Sequence, residues 1–238
     1  MTVNASQKKA VVILSGGLDS TTCMGIARDK GYELYPITFD YGQRHKIELE
    51  NAGLVADYYG VKDRHKVIAL GFLKEFGGSA LTDETIDVPD TSQAGTAAQY
   101  GESEIPVTYV PGRNLLFLSI ATSYAESIGA EAIYIGVNAL DYSGYPDCRP
   151  EFIRKVEEVM AFATRVGVEG GPIRIETPLS EWTKAEIIRQ GTVLRVPYQL
   201  TTSCYNGQAE ACGVCDSCRL RLKGFAEAGV PDPIAYRT

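Results

Sequence analysis

The chain has 238 residues, and 23 Lys and Arg against 30 Asp and Glu leave it with a formal charge of −7. An apolar share of 45% can fill a core and excludes a disordered chain, and the length fits one large domain with room for a small appendage. The longest apolar runs, such as Ala10 to Leu14, fall far short of the roughly 18 residues that cross a bilayer, and Met1 to Lys9 has no signal-peptide core behind it, so the expectation is a cytoplasmic protein with no membrane contact.

Ala10 to Leu14 is a short branched run followed by Ser15-Gly16-Gly17, and Ser20 to Lys30 has a helical pattern that Gly31 can stop, giving strand, loop and helix. Glu33 to Phe39 reads as a second strand, Lys46 to Tyr59 as a helix ended by Gly60, and His65 to Leu70 as a third strand. Gly77 to Gly112 interrupts the alternation. It holds Asp83, Glu84, Asp87, Asp90, Glu102 and Glu104 but no Lys or Arg, so most of the negative charge sits there. A loop this long inside a compact domain is uncommon, and a mobile, flap-like insertion is expected. Helix Asn114 to Ile128, strand Glu131 to Val137, helix Pro150 to Val166 and strand Ile173 to Thr177 follow. In the Pro150 helix, Phe152, Ile153, Val156, Val159, Met160 and Ala163 recur at three- and four-residue spacing and predict one core-facing stripe. Thr183 to Glu186 fits a capping box opening a helix that Gly191 closes. The pattern predicts an α/β fold: a doubly wound parallel sheet with helices on both faces over residues 1–195, and a small C-terminal zinc-binding segment over 196–238 that ends in a helix from Asp216 to Ala228.

Ser15-Gly16-Gly17-Leu18-Asp19-Ser20 falls where a doubly wound sheet binds phosphate, at the carboxyl end of a strand and the start of a helix. The glycines let the backbone approach an anion unobstructed by Cβ, and Ser15, Ser20 and Thr21 offer hydroxyls beside the free N–H groups of the first helical turn. A carboxylate repels phosphate. Asp19 must therefore either hold Mg²⁺ that bridges phosphate oxygens or fix the loop through backbone N–H groups. The string lacks the Lys of a Walker loop and the third glycine of a dinucleotide fold, which disfavours kinases and dehydrogenases. It resembles the pyrophosphate loop of the N-type ATP pyrophosphatases, whose fold is adenine nucleotide alpha hydrolase-like. The resemblance implies ATP contacts along Leu14, Ser15, Gly16, Gly17, Leu18, Asp19, Ser20, Thr21, Thr22, Cys23 and Met24, with adenine and ribose facing Thr38 to Gln43. It also implies cleavage between the α and β phosphates and transfer of AMP to a substrate oxygen.

Cys204, Cys212, Cys215 and Cys218 are spaced C-x7-C-x2-C-x2-C, which lets four thiolates converge on one tetrahedral ion. Four protein ligands leave no open position, so one structural zinc per chain is expected, with a Cys₄ iron–sulfur cluster as the chemical competitor. Cys23 lies inside the first helix and reads as a packing residue, whereas Cys148, in a loop, is more open to function.

Val110 to Asn114 places Arg113 and Asn114 at a helix start, and Arg113 and Lys184 are candidates for stabilising charge on a leaving pyrophosphate. The loop Asn138 to Phe152 gathers aromatic, acidic and basic groups at the expected ligand edge. Tyr142 and Tyr145 can stack on a planar heterocycle, Asp141 or Asp147 can accept from guanine-like N–H groups, and Arg149 can hold a carboxylate. For each of them a surface or capping role is the competing reading.

Taken in order, the Ser15 loop, Thr38 to Gln43, Pro111 to Asn114, Asp141 to Phe152 and the four-cysteine tail resemble the 7-cyano-7-deazaguanine synthases of the queuosine pathway over nearly the whole chain. That resemblance implies an ATP-dependent ligase, using Mg²⁺ with ATP, that turns 7-carboxy-7-deazaguanine and ammonia into the nitrile; it also implies a homodimer. Two histidines, and two cysteines outside the cluster, leave no room for a glutaminase pair, so free ammonium is the expected donor. The rivals are a tRNA-thiolating pyrophosphatase and a non-catalytic zinc-stabilised nucleotide-binding protein. The first would use Cys148 as its thiol and Arg219, Arg221 and Lys223 as a phosphate patch, though a solvated surface suits those three better and no nucleic-acid partner is expected. The intact Ser15 to Ser20 string argues against the second.

Overall fold

The structure, a computed structural model, describes residues 7–44, 46–89, 105–138, 144–208 and 210–237. Five strands, β1 (Lys9–Ile13), β2 (Glu33–Asp40), β3 (Lys66–Ala69), β4 (Ala132–Tyr134) and β5 (Arg174–Glu176), form one all-parallel sheet in the order β3-β2-β1-β4-β5. The order reverses at β1, so a crevice opens between the carboxyl ends of β1 and β4, where such sheets bind ligands.

The helices are α1 (Leu18–Asp29), α2 (Ile47–Tyr58), α3 (Leu73–Phe76), α4 (Arg113–Ile128), α5 (Pro150–Ala163), α6 (Arg165–Val168), α7 (Lys184–Val193) and α8 (Asp216–Ala228). Alternate residues of β1 feed two cores, as the period of a strand requires. Val11 and Ile13 join Phe117, Leu118, Ile153 and Met160 from α4 and α5. Ala10 and Val12 join Met24, Val55, Ile187, Ile188 and Phe225 from α1, α2, α7 and α8. Helices on both faces of a parallel sheet are the architecture the alternating pattern predicts.

Four local expectations change. The helix predicted over Pro150 to Val166 is two helices, because Thr164 turns extended and its side-chain oxygen accepts from the Gly167 amide, capping α6. The core stripe of α5 is narrower than its spacing suggests: Ile153, Val156 and Met160 are buried, but Val159 and Ala163 are exposed. Helix α7 runs through Gly191 to Val193. Gly191 is there for space, since a Cβ would sit 1.8 Å from the Tyr198 hydroxyl oxygen. Finally, the ends of the insertion are packed and not flap-like. The Ala80 amide donates to the Val107 carbonyl over 2.9 Å, and Leu81 and Val110 belong to the same core as Phe117. The centre of the insertion lies outside the described residues.

Candidate active site

The phosphate loop is held by its own hydroxyls and by two distant segments. The Ser20 hydroxyl accepts from the Ser15 amide over 3.1 Å and donates to the Gly17 carbonyl over 3.2 Å, while Thr21 donates to the same carbonyl over 2.8 Å. Gly16 has φ of 81°, and a Cβ on it would lie 2.3 Å from the Glu48 carbonyl oxygen, so only glycine lets α2 close on the loop. On the other side the Thr202 amide donates to the Gly16 carbonyl over 3.1 Å. Gly136 performs a similar service at the end of β4, where a Cβ would stand 3.0 Å from the Ser20 nitrogen.

Asp19 has a partner that neither of its two expected roles names. The Lys184 ammonium, at the first turn of α7, donates to both of its carboxylate oxygens over 2.9 Å. Lys184 is held in place from behind: Gly224 of α8 packs so closely that a Cβ there would lie 2.4 Å from the lysine Cγ. Thr183 completes the capping box with Glu186 that places this lysine at the helix start.

Near the carboxyl end of β2, Thr38 donates to the Leu14 carbonyl over 2.6 Å and lies 2.7 Å from His65 Nε2. The single Thr38 proton goes to Leu14, so His65 carries its proton on Nε2 and donates to Thr38. Burial pushes His65 below its ordinary value. Gln43 folds back, accepting from the Tyr41 amide over 2.9 Å.

At the start of α4, Arg113 donates to the Tyr41 hydroxyl over 3.3 Å and stacks its guanidinium 5.7 Å from the Tyr41 ring centre. Its neighbour Asn114 fixes the Asp147–Cys148 turn: the Asn114 amide donates to Asp147 Oδ2 over 3.0 Å, and the side-chain amide donates to the Asp147 carbonyl over 3.1 Å and to Cys148 Sγ over 3.4 Å. Asp147 is thus a buried cap for α4. Tyr145 shares a 2.6 Å hydrogen bond with Thr108 from the packed end of the insertion.

One cavity of about 220 Å³ joins these parts. Leu14, Ser15, Gly17, Leu18, Asp19 and Ser20 line it together with Lys184, Glu48 and Thr202. Arg113, Asn114, Phe117, Tyr145, Cys148 and Tyr205 line the same cavity.

The predicted site residues divide accordingly. Thr21, Thr22, Cys23 and Met24 are fully buried behind the loop and do not reach the cavity. Asp147 stands one layer back. Arg149 is exposed at the cap of α5, because the tight turn Pro146–Cys148 aims Asp147 and Cys148 inward and the next residue out. Asp141 and Tyr142 lie outside the described residues.

Several lining residues carried no signal in the sequence. Glu48, Ser203, Tyr205 and Ser217 belong to no motif of their own, although the last three flank the cysteines. Arg221 is the sharpest surprise. It is 1% exposed, clamped by Asp232 through Nε and NH2 over 2.9 and 3.0 Å, and it donates to Thr201 over 2.8 Å, so it is no surface phosphate patch.

The Sγ atoms of Cys204, Cys212, Cys215 and Cys218 all lie within 4.8 Å of one another. A tetrahedral ion with metal–sulfur bonds near 2.3 Å requires sulfurs about 3.8 Å apart, and Cys212 and Cys218 stand at 3.9 Å. The Cys212 and Cys215 amides donate to the sulfurs of Cys204 and Cys212 over 3.3 and 3.4 Å, the support that thiolate ligands need. The donor set therefore fits a metal ion.

A family model described as queuosine biosynthesis protein QueC matches residues 9–229. Among curated relatives, the 7-cyano-7-deazaguanine synthase of Oceanobacillus iheyensis is 60% identical over 229 residues, spanning 96% of this chain and 98% of the relative. That of Methylococcus capsulatus is 56% identical over 233 residues, spanning 97% of this chain and all of the relative. Among solved structures, a 4-thiouridine synthetase in complex with RNA and bound ATP superposes with a TM-score of 0.53 at 17% identity, covering 96% of this chain and 47% of that one, a likeness of fold alone. With a family model matching residues 9–229 and relatives this similar along almost their entire length, the chain belongs to the queuosine biosynthesis protein QueC family.

Proposed function

We propose that the protein converts 7-carboxy-7-deazaguanine and ammonium into 7-cyano-7-deazaguanine, consuming ATP and releasing AMP and pyrophosphate. The observation that carries this reading is one cavity lined both by the Ser15–Ser20 loop and by an aromatic wall that bears Arg113, in a chain of this family. A carboxylate is a poor electrophile because its oxygen leaves badly. Transfer of AMP to that oxygen, with departure of pyrophosphate, creates an acyl phosphate ester; ammonia attacks its carbon, and AMP leaves with the C–O bonding electrons. The amide oxygen is then adenylated in the same way. Loss of the remaining N–H protons as the second AMP departs leaves the nitrile. One nucleotide site serves both halves, which suits a cavity with one phosphate loop.

The chain's own residues have separable tasks here. The loop amides and the hydroxyls of Ser15 and Ser20 cradle the phosphates. Lys184, oriented by Asp19, and Arg113, oriented by Tyr41, supply positive charge where pyrophosphate and AMP depart. Mg²⁺ entering with ATP offsets phosphate charge, and Asp19 and Glu48, the carboxylates that line the cavity among the described residues, are oxygen donors of the kind it takes. Zinc is the ion that best suits four thiolates with no open position, and its role is structural. We place the protein in the cytoplasm as a homodimer, with exposed Leu115, Val159 and Phe162 available for a second copy to cover. The sulfur-transfer alternative is disfavoured by Cys148, whose thiol burial pushes up to about 12, the reverse of what a reactive cysteine needs.

The test is a reconstitution with protein, MgATP, ammonium and 7-carboxy-7-deazaguanine. AMP, pyrophosphate and the nitrile are expected, with glutamine unable to replace ammonium. Release of ADP and phosphate would overturn the reading.

A further inference from the structure

We propose that Tyr205, carried into the cavity by the cysteine loop, is a substrate-positioning residue that forms with Tyr145 the wall against which the planar heterocycle lies. The inference rests on the function proposed above and goes further by assigning a role to a residue outside every motif.

Tyr205 follows the ligand Cys204 directly, so its backbone is fixed wherever the cysteine cluster is fixed. Its ring is the contact between two separate packed regions: it lies against the core that holds Phe117, Tyr145 and Cys148, and also against the cluster of Cys204, Ala211, Cys215 and Cys218. It lines the same cavity as the phosphate loop. It packs against the core that includes Tyr145, and Tyr145 bonds Thr108 over 2.6 Å. Three segments distant in sequence, bearing Thr108, Tyr145 and Tyr205, therefore meet beside the cavity.

The chemistry calls for such a wall. The phosphates must lie at the Ser15 loop, so the flat ring that bears the reacting carboxylate has to occupy the opposite end. A rigid aromatic face orients a heterocycle at little entropic cost, since a tyrosine has only two side-chain torsions to fix. A Tyr145 ring held by its Thr108 hydrogen bond and packed against Tyr109 is pre-organised for that task.

Steady-state kinetics of the full-length protein and two variants provide the test, with each substrate varied in turn. Tyr205→Phe keeps the ring and loses the hydroxyl, and it should raise KM for 7-carboxy-7-deazaguanine roughly threefold to tenfold. Tyr205→Leu also loses the aromatic face, and it should raise that KM by about tenfold or more. In both, KM for ATP should stay within about twofold of the parent, and metal content and melting temperature should be unchanged. An unaltered KM for the carboxylated heterocycle in Tyr205→Leu would overturn the proposal, as would an equal rise in KM for ATP or a loss of metal that tracks the kinetic change. If the parent protein itself makes no AMP from this substrate, the proposed function fails instead. Calorimetric binding of the same heterocycle to parent and variants then decides the role of Tyr205 on its own, with equal affinities counting against it.

Discussion

Lys184 and Asp19, 165 residues apart, meet as a two-pronged ion pair at the mouth of the phosphate loop, the ammonium 2.9 Å from each carboxylate oxygen. The lysine side chain is 9% exposed and the aspartate 21%, so the pair is largely shielded and neither charge can lose the other cheaply.

Asp19→Ala and Lys184→Met should each depress AMP formation by at least about 100-fold, the scale on which a positioned charge acts on a departing phosphate. Each should also lower stability by up to about 3 kcal/mol by leaving a shielded charge without its partner. The double variant should be more stable than the sum of the two losses predicts. Denaturant melts and an AMP assay check both statements, and near-normal turnover in Asp19→Ala would remove the pair from the transfer step.

The cysteine cluster should be indispensable to the fold of the tail. Structural zinc in thiolate sites has apparent binding energies of about 10–16 kcal/mol, comparable with the whole stability of a typical domain at about 5–15 kcal/mol. Cys215→Ala should lose its metal by elemental analysis and melt at a lower temperature. It should also weaken nucleotide binding, because Thr202 of the same segment bonds the Gly16 carbonyl. A metal-free variant that melts like the parent would contradict this.

Two glycines make opposite predictions. In Gly191→Ala the new methyl would meet the Tyr198 hydroxyl, which is already engaged with Thr22 and the Ile187 carbonyl. A destabilisation of about 1–3 kcal/mol is expected from overpacking. Gly53, also inside a helix, has nothing within 4 Å of its would-be Cβ. Gly53→Ala should stabilise by about 0.4–1 kcal/mol. Thermal melts of both against the parent test the pair, and equal signs would refute the packing argument.

His65 gives a pH dependence with a definite sign. Burial holds its folded value below the ordinary 6.5, so the unfolded chain binds the extra proton more readily. The contribution is fully present above about pH 6.5 and is lost as pH falls toward the folded value. Melting temperature should therefore drop from pH 7.5 to pH 5.5, and His65→Asn should show a shallower drop over the same interval.

Much of this was legible in the sequence because the relevant signals are local. The run Ala10 to Leu14, the two glycines and the hydroxyls after them specify strand, anion loop and helix within 15 residues, and four cysteines with two-residue gaps specify a metal cluster before any fold is known. What escaped depends on contacts between remote segments. Nothing around Arg221 announces that Asp232 and Thr201 will bury it. Nothing around Gly191 announces Tyr198. The stripe on α5 misled because spacing reports which residues share a face and not how much of that face another element covers. Arg149 failed for a similar reason: its chemistry suited a carboxylate, but one residue of turn geometry aims it outward.

The packing of Gly224 against Lys184 also bears on how the site is born. During synthesis the Ser15 loop emerges well before α8, yet the lysine that pairs with Asp19 leans on that helix. Chains still being synthesised can form the β1 to α2 region but cannot hold Lys184 against Asp19 in its finished position. The Lys184–Asp19 pair therefore takes its finished position only after α8 has docked, however early the loop itself has formed.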